Sequence, residues 1–132
     1  MSAPPVQYEG LSPFVHLLGI TTEIQADGSV LGLLKAAEVL QNRKGDLHGG
    51  AIASLIDTTM GHVGRVGLPA GSSSSTLNLT INFISAGRGD LRCIAQCSRK
   101  GQSIAFVEAR VEDETGKLVA LGMATFKIFS PH

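Results

Sequence analysis

One stretch constrains this chain more than any other. From His48 to Gly64 it reads His-Gly-Gly-Ala-Ile-Ala-Ser-Leu-Ile-Asp-Thr-Thr-Met-Gly-His-Val-Gly. Ile52, Leu55, Ile56, Met60 and Val63 recur at helical spacing. The opposite side carries Gly50, Ala53, Ser54, Asp57, Gly61 and Gly64 instead of the charges of a surface helix. Asp57 is the single formal charge of the stretch, the histidines His48 and His62 aside. A helix this poor in charge is covered on most sides. Its stripe of small residues lets another helix, another subunit or a ligand come close. The rest of the chain must therefore wrap it.

The C-terminal half has the pattern of a sheet. From Thr76 onward, Leu77, Leu79, Ile81 and Phe83 alternate with Asn78, Thr80 and Asn82, the period of a strand. Leu91 to Ser98, Ile104 to Glu112 and Leu118 to Phe129 are three further strands. Arg99-Lys-Gly-Gln102 and Glu114-Thr-Gly-Lys117 are the turns between them. Strands joined so tightly are antiparallel. Ahead of the long helix, Leu11 to Gly19 reads as a short helix, with Ser12 as cap, Pro13 in the first turn and Gly19 as stop. Thr21 to Ala26 and Ser29 to Val39 read as strands around the turn Asp27-Gly28. A polar loop, Gln41 to Asp46, leads into the helix. The class is α+β: a curved antiparallel sheet wrapped around one long central helix.

Composition narrows the roles. A length of 132 residues suits one domain over residues 1–132, with residues 1–9 expected to be flexible, and a hydrophobic content of 43% supplies a core. Lys plus Arg balance Asp plus Glu at 11 each, which argues against a nucleic-acid partner. No apolar run approaches the roughly 20 residues of a membrane helix. The start, Met1 to Glu9, lacks the pattern of a secretory signal, so the expected location is cytoplasmic. Cys93 and Cys97 on one strand would stand about 13 Å apart. A disulfide spans at most about 7 Å between Cα atoms. They are expected as free thiols, and no ligand spacing suggests a metal.

The element order resembles the hotdog fold, and the residues at the helix entrance sharpen the match. Asn42, then His48-Gly49-Gly50, then Asp57 are similar to the active-site signature of the phenylacetyl-CoA-type thioesterases, within the 4-hydroxybenzoyl-CoA thioesterase superfamily. The resemblance covers roughly residues 10–128. It implies an acyl-CoA substrate, no cofactor beyond the CoA of that substrate, and assembly as a homodimer or homotetramer. It also implies that Asp57 is nucleophile or general base, that Gly49 gives a backbone N–H to the thioester carbonyl, and that Asn42 helps to place the attacking group. His48 either shapes the site or braces the loop. A hydroxyl at the start of the next strand would hold the water: Thr76 by strand register, Ser75 by counting forward from the acid.

The residues themselves support that chemistry. The first N–H groups of a helix lack internal partners, and the helix dipole there favours negative charge. Gly49 and Gly50 leave room for a carbonyl, so together they make an oxyanion site. An acid in apolar surroundings is a stronger base than one in water. Asp57 could then activate water or attack the carbonyl itself. Gly49 and Asp57 are eight residues apart. Along a helix that is about 12 Å, too far for both to touch one carbonyl. The N–H facing Asp57 must therefore come from a second chain, at a two-fold interface with two sites per dimer. Arg99, Lys100 and Ser103 are candidates for the CoA phosphates, Arg88 and Arg65 weaker ones. His62 reads as structural and His16 as a surface or interface residue. Two rival readings are a hotdog hydratase or dehydratase, which pairs a histidine with an acid for proton transfer to carbon, and a non-catalytic acyl-CoA-binding protein. The glycines after His48 disfavour the first, and an acid inside the apolar helix disfavours the second.

Overall fold

The computed structural model describes residues 12–131. Leu11, with which the short helix was expected to begin, and the segment 1–9 lie outside them. Helix α1 spans Pro13–Leu18, capped by the Ser12 hydroxyl and closed by Gly19 in the left-handed conformation. Strands β1, Ile20–Ile24, and β2, Val30–Leu34, form a hairpin. Its turn is closed by Asp27, whose carboxylate accepts from the Ser29 N–H at 2.9 Å and hydroxyl at 2.6 Å. Gly28 supplies the positive φ of 88° that this turn requires.

Strand β2 is shorter than the expected Ser29 to Val39. Leu34 already pairs with Leu91, the first residue of β4 (Leu91–Lys100), so nothing continues the ladder. The Ala36 N–H turns instead to Asp90 Oδ1 at 2.8 Å, and Glu38–Leu40 form a 3-10 turn. Helix α2 spans Gly49–Arg65. Then come β3, Ser73–Phe83, the strand β4, β5, Ile104–Asp113, and β6, Leu118–Phe129.

The six strands form one antiparallel sheet in the order β1-β2-β4-β5-β6-β3. Helix α2 lies against one face and touches every strand. Its Leu55, Ile56, Met60 and Val63 are buried among Val30, Cys93, Val107, Val111 and Phe126 of the sheet. The fit is close: a Cβ on Gly122 of β6 would stand 2.9 Å from Ile56 Cγ2, and one on Gly32 of β2 would collide with Thr59 of α2. Cys93 and Cys97 are free thiols on β4, and burial pushes the Cys93 thiol up to about 12. Among the described residues, no helix is long and apolar enough to cross a membrane.

Two local differences shape the site. Strand β3 begins at Ser73, inside the serine run, and a bulge between Thr76 and Asn78 breaks its alternation. Ser74 and Thr76 hydrogen-bond to groups of α2, whereas beyond the bulge it is Leu79 and Ile81 that pack on the core. The extra residue is Leu77, which is 58% exposed instead of joining the apolar side. The small-residue stripe of α2 is also divided. Gly61 faces Phe126 and Gly64 faces Ile128 and Ala105, so both serve packing within the chain. Only Gly50, Ala53, Ser54 and Asp57 remain exposed or half-buried.

Candidate active site

Asp57 stands half-buried in the middle of α2. The Thr76 hydroxyl of β3 donates to its Oδ1 at 2.7 Å. The bulge allows this pair: it lets β3 aim a hydroxyl at the acid and still bury Leu79 and Ile81 farther on. Ser75, the other candidate hydroxyl, pairs with Lys127 and sits in the alternate phase, away from the helix. The pair opens into a depression of about 280 Å³, also lined by Thr22, His62, Arg65, Ser74 and Phe126. These surroundings are polar, not the apolar ones expected around the acid.

The entrance of α2 lies elsewhere. His48 caps the helix, its Nδ1 accepting from the Gly50 N–H at 2.8 Å. That bond uses up one of the two donors expected for an oxyanion site. The Gly49 N–H, at the first helical position, has no acceptor among the described residues. Gly49 adjoins the Phe83 ring at the far end of β3. His48 itself is hung from the Leu40 carbonyl through its N–H at 2.8 Å. Asn42 closes the preceding loop: its Oδ1 accepts from the Lys44 N–H at 2.9 Å and the Asp46 N–H at 3.1 Å. Its side-chain oxygen is thus committed to the backbone.

Of the residues expected at the CoA phosphates, Arg99, Lys100 and Ser103 lie about the turn between β4 and β5. Lys100 donates to the Val66 carbonyl at the end of α2, at 2.8 Å. Arg88 pairs with Asp46 at 2.7 Å, and this contact holds its guanidinium above the usual range. Arg99 is exposed on β4, and Ser103 is half-buried beside the turn to β5. Arg65, one of the weaker candidates on sequence, is the one that shares the depression with Asp57. Sequence spacing could have suggested it, because Asp57, Gly61 and Arg65 recur at four-residue intervals on one helix face. His62 contacts Thr22 Oγ1 at 2.8 Å, and burial, then the charge of Arg65, keep its imidazole below the ordinary 6.5.

A larger hollow of about 530 Å³ lies on the outer face of the sheet, lined by Thr80, Asn82, Ile94, Glu108, Leu121 and Met123. It is separated from Asp57 by the sheet itself.

The profile of the thioesterase superfamily matches residues 44–120, a span that contains Gly49, Asp57 and Thr76. Human acyl-coenzyme A thioesterase 13 is 29% identical over 116 residues, covering 85% of this chain and 82% of the relative. Among solved structures, a conserved protein from Pseudomonas aeruginosa superimposes with a TM-score of 0.85 at 36% identity, over 95% of this chain and all of the other. A Bacillus halodurans protein solved with CoA also gives 0.85, at 29% identity, over 94% of this chain and 83% of its own.

Proposed function

The chain belongs to the thioesterase superfamily and is a thioester hydrolase, and on that premise we propose that it cleaves an acyl- or aryl-acyl-CoA to the free acid and CoA, with Asp57 as the reacting carboxylate. The observation that carries this reading is the Thr76–Asp57 hydrogen bond at the mouth of a polar depression. Thr76 fixes one carboxylate oxygen and leaves the other for a water or for the thioester carbon. The Bacillus halodurans relative was solved with CoA, which supports CoA as the leaving group. His48 spends Nδ1 on its own helix cap, which argues against the hydratase chemistry of a free histidine.

The oxyanion donor comes from a second copy. Asp57 and the unpaired Gly49 N–H lie about 12 Å apart along α2. Among the described residues β3 is an edge strand, paired only with β6. Its exposed Leu77 and Phe83 are what a partner strand would cover. If two copies pair antiparallel through β3, the Phe83 end of one meets the Thr76 end of the other. Gly49 adjoins Phe83 and Asp57 adjoins Thr76, so that pairing supports one composite site at each end of the shared ladder.

Thiol release from a panel of short, long and aromatic acyl-CoAs tests the reading, with wild type and Asp57→Ala side by side. Release by wild type that falls about 10²–10⁴-fold in the variant supports it. Release that persists in Asp57→Ala contradicts the role of the carboxylate.

A further inference from the structure

Arg65 has no carboxylate partner among the described residues. The ion pairs among the described residues are Arg88–Asp46, Arg92–Glu112 and Arg110–Glu112. Arg65 is half-buried, and burial holds its guanidinium below the usual range. Its Nη1 donates to Ser74 Oγ at 2.9 Å. A Cβ on Gly61 would meet that same Nη1 at 3.5 Å, so the side chain folds back over Gly61, toward Asp57. A guanidinium carries five donors, and one hydroxyl leaves most of them unused. A part-buried cation of this kind calls for an anion.

Resting on the hydrolase reading, we infer that Arg65 is a specificity-determining residue for a second carboxylate on the acyl group, so that the preferred substrates are ω-carboxyacyl thioesters of CoA. Both ends of such a substrate fit one depression. The thioester carbonyl sits at Asp57 and Thr76, and the distal carboxylate at Arg65 and Ser74. Gly61 is one helical turn from Asp57, about 6 Å along the axis, which a short methylene spacer bridges. Among the described residues Asp57 is the single carboxylate lining the depression, so no other described acidic side chain competes for the far end. The phosphates of CoA carry the same kind of charge, but the whole pantetheine arm separates them from the thioester. A group that reaches Arg65 within this small depression, while the carbonyl stays at Asp57, belongs to the acyl side. The far end is bounded by Ser12, Val15 and Phe126.

Adipyl-CoA and hexanoyl-CoA differ by a terminal carboxylate in place of a methyl, and their ratio of kcat/KM is the test. Wild type should favour adipyl-CoA. Arg65→Gln should lower the adipyl-to-hexanoyl ratio by about 10–100-fold, the weight of a charged hydrogen bond, and Arg65→Lys should restore part of it. An equal loss on both substrates, with weaker inhibition by free CoA, would assign Arg65 to the CoA phosphates and overturn the inference. An equal loss with unchanged CoA inhibition would make Arg65 a structural brace of β3 and overturn it too. Equilibrium binding of the carboxypentyl and hexyl thioethers of CoA supplies an arm that needs no turnover. If no thioester is cleaved, the hydrolase reading fails, yet a carboxylate preference lost in Arg65→Gln would still establish the cation's role. Equal affinity of wild type for the two thioethers would refute it.

Discussion

The proposed composite site makes a quantitative prediction about mixed subunits. Asp57→Ala removes the proposed reacting carboxylate, and Gly49→Pro removes the proposed backbone donor. The proline should be tolerated. Gly49 is the first residue of α2, where proline fits and no N–H is needed for the helix. His48 before it already has the extended φ of −62° and ψ of 138° that a residue preceding proline prefers. A Cβ at position 49 meets only the Phe83 ring, with Cε1 at 3.5 Å. Alone, the carboxylate variant should lose about 10²–10⁴-fold in kcat. The donor variant should lose about 10²–10³-fold. In a mixed dimer, one site joins the intact Asp57 of one chain to the intact Gly49 N–H of the other, and the second site lacks both. After equal mixing and full exchange, half of the dimers are mixed and each holds one working site of two. Activity should therefore return to about a quarter of wild type. The assay is thiol release before and after exchange, with native mass spectrometry to verify that mixed dimers form. Mixed dimers no more active than the average of their parents would refute the argument, because the two groups would then serve the same chain's site.

Thr76→Val should lower turnover by freeing the Asp57 carboxylate, and Thr76→Ser should keep most of it, read as kcat on the best acyl-CoA. Gly122→Ala should destabilise the fold by about 1–3 kcal/mol in urea titration, because Ile56 is packed too closely to yield. His62 predicts an acid limb of stability. Its folded value lies below the ordinary 6.5 because of burial and then Arg65. The unfolded chain takes up the proton first, so the contribution of neutral His62 is present above about 6.5 and is lost as pH falls toward the lower folded value. His62→Gln should flatten the urea midpoint over that window relative to wild type.

Much of this architecture was legible because its signals are hydrophobic. The central helix, expected over His48 to Gly64, is Gly49–Arg65, and the last strand is Leu118–Phe129, with the bounds its sequence pattern indicates. The early part of β3 was not legible, because serines at 73–75 carry no apolar alternation to show which side faces in. The bulge was hidden for the opposite reason. Leu77 continues a perfect alternation in sequence, yet tertiary pairing with β6 makes it the extra residue. Helix spacing put Asp57 in the stripe of small residues, and strand register favoured Thr76 over Ser75 as the hydroxyl near it; Thr76 is the one that hydrogen-bonds to the acid. The division of labour between Gly49 and Gly50 depends on where the His48 ring turns, which no spacing encodes. The placement of Arg65 was not legible because charge alone does not distinguish a solvated arginine from a half-buried one. That difference arises from Ser74 and Gly61, which the fold brings beside it.

One substitution tests whether the carboxylate of Asp57, and not merely its shape, drives thioester cleavage. Asp57→Asn keeps the size of the side chain and an oxygen to accept from Thr76, and removes only the basic, nucleophilic oxygen. Steady-state thiol release from the best acyl-CoA, beside a thermal melt of both proteins, measures this directly. With the carboxylate as the reacting group, kcat should be lower by about 10²–10⁴-fold with an unchanged melting temperature. Turnover near that of wild type would contradict it.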